Sequence, residues 1–308
     1  MKKILVSYIC NYESYKVVTY LLGKEFSIYT LQIDKAFSSI NSSVHNFNIN
    51  LKDIAEVKRV LFENKFDVIY HSGIIISKLS DKKAEELNLK ITEQFISLAL
   101  KNGFKFIFNS TVGIFGNSAV ELPINERAKR QKETLVAKVA INSEKVIENY
   151  ILKGLDAYIL RPSPLIYGEF NYGLIYDLFQ NILRKKFYKP KQPTWIHLCN
   201  IEMYCLVVYK LIIREKINRN SFFVSDWEPV RLDKLTQFIA KNLDIKDNSF
   251  IKSEIDLNNN KKKYPKNKIL FPQSKFFYVD NTYKHLEIKI FKTIPEIRKM
   301  INWYKENL

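Results

Sequence analysis

Short apolar runs alternate with helix-like segments through the first half of the chain, and this alternation constrains the fold more than any other feature. Strands are expected at Lys3–Val6, Ser27–Leu31, Val68–His71, Phe104–Asn109 and Ala157–Leu160, and helices at Ser14–Leu22, Ile54–Asn64, Ala84–Asn102 and Thr134–Lys153. Strands separated by helices of this length build βαβ units, so an α/β fold follows: a doubly wound parallel sheet with helices on both faces. Asp53 is placed to cap the helix after it, and Gly103 and Gly154 to end theirs. Beyond Arg161 the rhythm loosens. Helical pieces at Leu174–Leu183, Asn200–Arg214, Leu232–Leu243 and Ile294–Glu306 alternate with strand-like pieces at Trp195–Leu198, Ser221–Ser225 and Phe276–Val279. Residues 1–165 are therefore expected to form the main sheet domain. Residues 166–308 form a smaller α/β region over the carboxyl ends of the strands, with some chain crossing back.

A chain of 308 residues, 46% hydrophobic, can bury a full core. It has no run of about 18 uncharged apolar residues, so no membrane span is expected. MKKILVSYIC has the lysines and short apolar run of a weak signal peptide. Asn11, Tyr12 and Glu13 interrupt it and no small-residue cleavage site follows, so a first core strand is the better reading. Cys10, Cys199 and Cys205 are odd in number and unevenly spaced, which fits a reducing cytoplasm and no metal cluster. The formal charge of +17 would attract nucleic acid, an anionic membrane face or phosphorylated ligands. The lysines are dispersed, however. Their one dense run, Asn258–Lys268, reads as a solvated loop and the most flexible stretch. No recognition module accompanies the charge, so a basic nucleic-acid binder ranks last among the readings and nucleic acid is not an expected partner.

The first strand runs into the first helix through VSYICNYESYKVV, Val6–Val18, with no glycine before Gly23. A βαβ unit that binds a dinucleotide has a glycine-rich turn there. Other segments carry a family likeness. They are NLKDIAEVKRVLFENKFDVIYHSG (Asn50–Gly73), NLKITEQFISLALKNGFKFIFNSTVGIFG (Asn88–Gly116), SEKVIENYILKGLDAYILRPSPLIYG (Ser143–Gly168), TWIHLCNIEMYCLVV (Thr194–Val208) and IPEIRKMINWYKEN (Ile294–Asn307). In this order and at these intervals they resemble the extended short-chain dehydrogenases/reductases, specifically the NAD-dependent epimerase/dehydratase group that acts on nucleotide sugars. The resemblance implies a Rossmann-like sheet over residues 1–165 and a substrate region over residues 166–308.

The resemblance also implies site positions. The family turn reads Thr-Gly-x-x-Gly-Phe-Ile-Gly, and Tyr8, Asn11 and Ser14 stand at its three glycines. Ser14 is a tolerable third-position substitute, and Asn11 adopts positive φ more readily than most residues. The Tyr8 side chain is expected to fill diphosphate volume, and Glu13 to repel a diphosphate at the helix N-terminus. Gln32, with Asp34 two residues on, falls where the ribose-recognising acid should end the second strand. Asn50 replaces the aspartate that reads adenine, while His71 and Asn88 match further crevice positions.

Of the catalytic Ser/Thr, Tyr and Lys, only Thr111 is matched. No tyrosine lies between Gly116 and Tyr150, and aligning Glu144 with the family glutamate puts Val136 at the tyrosine and Ala140 at the lysine. A register two residues away would recruit Lys138, with Thr134 in place of tyrosine. On the substrate side, Pro193 replaces an arginine that contacts the nucleotide diphosphate; Lys189 and Lys191 nearby could supply a cruder charge, with Tyr167 a further contact.

Each residue also has a plainer reading. Thr111 with Ser110 can simply cap a strand end, and His71 and His197 can be structural. Cys10, near a helix N-terminus, is in a setting that lowers a thiol pKa, yet no histidine partner can be placed beside it. Tyr8, Tyr12, Tyr15, Phe115 and Tyr167 could stack a ring or plug an emptied cleft.

The first reading is a catalytically inactive relative with no or weak NAD(P) binding, taking a nucleotide sugar as possible ligand in surface-polysaccharide synthesis. It would be cytoplasmic and form a homodimer, or a heterodimer with an active relative, through a bundle of Ala84–Asn102 and Thr134–Lys153. The alternative is an active epimerase, dehydratase or reductase, with NAD as cofactor, an atypical cofactor site, and altered acid–base residues such as Thr111 and Lys138.

Overall fold

The computed structural model describes residues 1–72, 74, 80–116, 121–215, 217–246, 248–255 and 274–307. The basic run Asn258–Lys268 lies outside the described residues.

The first half contains β1 (Lys2–Ile9), α1 (Tyr12–Leu22), β2 (Phe26–Ile33), β3 (His45–Asn46), α2 (Ile54–Glu63), β4 (Val68–His71), α3 (Asp81–Asn102), β5 (Lys105–Asn109), α4 (Leu135–Ile151) and β6 (Ala157–Pro162). The second half adds β7 (Ile166–Tyr167), α5 (Leu174–Leu183), β8 (Phe187–Pro190), β9 (Trp195–Ile196), β10 (Cys199–Asn200), α6 (Ile201–Ile213) and β11 (Ser221–Val224). It closes with β12 (Val230–Arg231), α7 (Leu232–Asn242), β13 (Ile251–Ile255), α8 (Asp280–Leu286) and α9 (Thr293–Asn307). A seven-stranded sheet runs β11-β6-β5-β4-β1-β2-β3, with every pairing parallel. The order reverses beside β1, and the crevice outside the carboxyl ends of β1 and β4 is where such sheets bind ligands.

Strand periodicity sorts the two faces. Ile4, Val6, Tyr70, Ile107 and Tyr158 pack with Val17, Val18 and Leu21 of α1 and Val207, Val208 and Leu211 of α6. Leu5, Ile69, Phe106, Phe108 and Ile159 point the other way, onto Val57 and Leu61 of α2 and Ile91 and Phe95 of α3. Asp53 accepts from the Glu56 N–H at 3.1 Å, capping α2, and Gly103 ends α3 with φ +73°. α4 stops at Ile151, before Gly154, with Leu152 as its cap residue.

The Ser221–Val224 strand lies in the main sheet beside β6, carried there from the second half of the chain. A third core, separate from it, is built from Ile175, Leu178 and Phe179 of α5, Leu235 and Ile239 of α7, and Ile297 and Ile301 of α9. Three two-stranded pairings, β10-β7, β12-β9 and β13-β8, brace this region. The strand expected at Phe276–Val279 is not formed. Isolated bridges, Ile196 to Lys275 and Ile124 to Phe277, hold that stretch instead, and α8 follows it directly.

Candidate functional site

The β1–α1 turn is short because β1 outruns its apolar core. Tyr8 pairs with Gln32 and Ile9 with Ile33, so only Cys10 and Asn11 separate strand from helix. Asn11 caps α1 with φ −147° and ψ 170°. It is extended, so the positive φ expected for it does not occur. Its Oδ1 accepts from Ser14 N at 2.8 Å, while Ser14 Oγ accepts from Cys10 N at 3.1 Å and Asn11 N at 3.2 Å. This reciprocal cap satisfies N–H groups that a phosphate-binding turn leaves pointing at its ligand. Glu13 adds a largely buried carboxyl in the first turn, its pKa raised by desolvation. The Tyr8 phenol reaches across to Asp34 Oδ2 at 3.4 Å, and its pKa is raised by burial and by that carboxylate. Asp34 meanwhile accepts from Ala36 N at 3.0 Å, Gln32 accepts from Leu51 N at 3.4 Å, and Asn50 accepts from Lys52 N at 2.9 Å. The turn as built fits the diphosphate of a dinucleotide poorly: its Cys10, Asn11 and Ser14 amides are committed, the Glu13 carboxyl sits at the helix start, and the Tyr8 phenol bridges the strand ends.

At the neighbouring strand ends most polar groups are also engaged, while Asn109 Oδ1 at the end of β5 is buried without a hydrogen-bond partner among the described residues. His71 is buried with Nδ1 2.8 Å from Ser7 Oγ, and desolvation lowers its pKa to about 3, so it is neutral. Ser72 Oγ bonds the backbone of Tyr8 at both N and O. Asn88 donates to Ala84 O at 2.7 Å. Thr111 caps the short turn Val112–Phe115, its Oγ1 accepting from Gly113 N at 3.0 Å. Ser110 donates to Glu144 at 2.5 Å, and Arg161 grips the same carboxylate through Nε at 3.0 Å and Nη2 at 2.9 Å. His197 uses both ring nitrogens, one 2.7 Å from Asp226 O and the other accepting from Phe277 N at 3.1 Å.

Lys189 and Lys191 are brought together with a residue the sequence reading missed. A cavity of about 130 Å³ is lined by Lys189, Lys191, Pro193, Thr194, Arg231 and Asp233, among others. Arg231 arrives because β12 pairs antiparallel with β9, setting it opposite Trp195 and beside the Pro193 position. Its guanidinium forks onto Asp233 at 3.0 and 2.7 Å, and Lys189 pairs with Glu254 at 2.8 Å. Tyr167 does not join them. It is wholly buried, its hydroxyl donating to Asp226 Oδ2 at 2.7 Å, so the contact implied for it with substrate is not available. Lys275 is the second residue missed: its Nζ donates to Gly116 O, close to Glu133, and burial lowers its pKa.

The family whose profile matches the sequence is the NAD dependent epimerase/dehydratase family, over residues 15–197, more than half of the chain. The chain belongs to this family. No curated protein matches it at a significant level. Solved structures match it over nearly their whole length. UDP-N-acetylglucosamine 4-epimerase from Bacillus cereus does so with TM-score 0.76 and 15% identity, covering 100% of each chain. UDP-glucose 4-epimerase from Thermotoga maritima, solved with UDP-glucose, gives TM-score 0.75 and 13% identity over 99% of each chain. WbmG from Bordetella bronchiseptica, solved with NAD, gives 0.78 and 12% over 99% of this chain and 94% of that one. At these identities the likeness concerns the fold.

Against the epimerase/dehydratase pattern, α4 carries neither phenol nor ammonium at the two aligned positions, Val136 and Ala140. Val136 is half-buried in the first turn of α4, and Ala140 is fully buried one turn later. The shifted register fails as well. Lys138 points at Asp81 of α3, 3.7 Å away, and Thr134 is the helix cap, accepting from Ala137 N at 3.1 Å. Lys138 thus belongs to the α3–α4 contact, where Asn142 also donates to Glu85 at 3.1 Å. The depressed thiol pKa expected of Cys10 is reversed. Burial, with Glu13 and Asp34 nearby, pushes it up to about 12, so at neutral pH it is a thiol and no nucleophile.

Proposed function

We propose that this protein recognises a nucleotide sugar without hydride transfer through the family tyrosine and lysine, in cytoplasmic surface-polysaccharide synthesis. One observation carries the substrate side: Lys189, Lys191 and Arg231 converge on a single cavity beside Pro193, where the family places its diphosphate-contacting arginine. An arginine fork and two lysines suit a diphosphate once it displaces the Asp233 and Glu254 carboxylates that hold Arg231 and Lys189. The committed amides of the β1–α1 turn support the absence of standard dinucleotide binding. Within this reading residues 1–165 are the cofactor-type domain and residues 166–308 the substrate region. α3 and α4 are the surface for a second copy or an active relative.

A second reading draws on the family membership and on the full-length likeness to sugar-nucleotide epimerases, some solved with NAD. It is an active epimerase, dehydratase or reductase with an atypical cofactor site. Lys275, at the Gly116 corner that follows Thr111, is the amine it would draw on in place of Lys138.

Thermal-shift and calorimetric titration with UDP, UDP-glucose, UDP-N-acetylglucosamine, NAD⁺ and NADP⁺ tests both. The first reading expects saturable binding of the UDP compounds and none of the dinucleotides. Arg231→Ala should weaken UDP roughly tenfold, the loss of one charge-assisted contact. Stabilisation by NAD⁺ together with conversion of a UDP-sugar would establish the second reading, and indifference to every UDP compound would sink both.

A further inference from the structure

A second cavity, of about 260 Å³, lies between α1, α6, α9 and the loop after β7, and shares no lining residue with the basic cavity. Its polar lining comes from Lys16 and Thr19 of α1, Glu169 of the loop after β7, Asn200 and Glu202 at the start of α6, and Glu296 and Lys299 of α9. Lys299 is held by Glu296 at 2.9 and 3.0 Å, so two of these charges cancel locally. In a chain of net charge +17, a cavity with three carboxylates against two ammonium groups has no field that would attract an anionic ligand. What it offers is a ring of hydrogen-bond donors and acceptors. Its volume is below the roughly 300–1,000 Å³ of pockets for drug-sized molecules and suits a single small ring.

The rim carries the second observation. The loop that contributes Gly168 and Glu169 to the cavity continues into Phe170, which is 56% exposed and adopts φ +63°. A bulky side chain in the left-handed region is disfavoured and persists only where its surroundings fix it. Here they do. Asn171 is buried, donates to Ile166 O at 2.8 Å, accepts from Gly173 N at 2.8 Å, and takes the Tyr304 hydroxyl on its carbonyl at 2.5 Å. The same loop presents Tyr172, 57% exposed. Phe170 packs tilted and Tyr172 edge-on against Trp303, with centroids 4.7 and 6.4 Å away, and the Lys16 ammonium lies 4.9 Å over Phe170. Exposed aromatic rings next to a cavity lined by carboxylate, amide, hydroxyl and ammonium groups match the two halves of a sugar ring. Its C–H face packs on an aromatic plane, while its hydroxyls need carboxylate, amide and ammonium partners.

We propose that this is a saccharide-binding site, holding one neutral hexose ring in the cavity with an adjoining ring on Phe170 and Tyr172. It is independent of the crevice and of the nucleotide-sugar reading. The test uses the intact chain with glucose, maltotriose, N-acetylglucosamine and its β-1,4-linked trimer, followed by saturation-transfer NMR and tryptophan fluorescence, since Trp303 lies under the rim. Saturable binding is expected, tighter for a trimer than for its monosaccharide and unchanged by excess UDP. Phe170→Ala should weaken it roughly three- to tenfold, the worth of an aromatic contact. Glu202→Gln should weaken it without altering the melting temperature. Phe170→Gly relieves the left-handed backbone, so that variant stays folded and still loses trimer affinity. Absence of a saturable response to all four sugars, binding indifferent to Phe170→Ala and Glu202→Gln, or displacement by UDP would each overturn the assignment.

Discussion

Tyr8, Asn11 and Ser14 stand where a dinucleotide turn has glycines, and each is tied down by a specific partner: Asp34, the Ser14 amide, and the Cys10 and Asn11 amides. The obstruction is therefore steric and hydrogen-bonding at once, and reversing it takes more than removing one ring. The triple change Tyr8→Gly, Asn11→Gly, Ser14→Gly clears the phenol and frees the helix N-terminal amides. Glycine at the cap costs only a few tenths of a kcal/mol and glycine in place of Ser14 inside the helix about 0.5–1 kcal/mol, so the melting temperature should fall by a few degrees while NAD⁺ binding becomes measurable by calorimetry. Adding Glu13→Ile removes the acid and should strengthen that binding further. A folded quadruple variant still blind to NAD⁺ would show that the barrier lies elsewhere in the crevice. The substitutions at these positions could be read directly from the sequence, because the turn retains the family length. Their consequences could not: the extended φ of Asn11 follows from the capping box, and the raised thiol pKa of Cys10 from burial beside two acids.

Among the elements, α4, β5 and β6 are locked by one buried ion pair. Glu144 of α4 receives Arg161 of β6 bidentately, Ser110 after β5, and Arg130 at 3.4 Å. Glu144→Gln leaves the buried Arg161 guanidinium with only the more distant Glu148 carboxylate at 3.9 Å, for which up to about 3–5 kcal/mol of stability is the expected loss in chemical denaturation. Arg59→Ala, which breaks the exposed pairs on α2, should change the midpoint far less. Elements of this kind were legible where local pattern decides them. Val17, Val18 and Leu21 repeat at helical spacing, and alternate residues of β5 enter opposite cores. The two-residue strands β7, β10 and β12 carry no such pattern, since each exists only through its partner strand. Arg231 was missed for that reason: pairing with Trp195, not proximity in sequence, brings it beside Lys191. Lys138 was misplaced by a register slide that would also have broken the apolar stripe of α4, which buries Ala137, Ala140, Ile141, Glu144 and Ile147.

Across the whole molecule, the balance of buried titratable groups sets how stability responds to acid. His71 and His197 are buried neutral, their pKa values lowered by desolvation to about 3 and about 4. In the unfolded chain each titrates near 6.5, so the unfolded state binds more protons as pH falls below that value, and stability drops down to the folded pKa values. Asp226 works in the opposite sense. Burial raises it to about 6 despite hydrogen bonds from Tyr167, Thr293 and the Asn200 amide. The folded state therefore takes up that proton first, and the carboxyl adds stability as pH falls from about 6 towards 4. Glu13, also raised by burial, acts in the same direction. Two histidines against Asp226 leave a net loss of about 2–3 kcal/mol between pH 7.5 and pH 5, read as a lower denaturation midpoint at constant salt. Asp226→Asn removes the opposing contribution, so its loss over the same range should steepen to about 4 kcal/mol. An unchanged or higher midpoint for the parent chain at pH 5 would mean that the histidines are charged when folded, and would contradict the hydrogen-bond assignments of both rings.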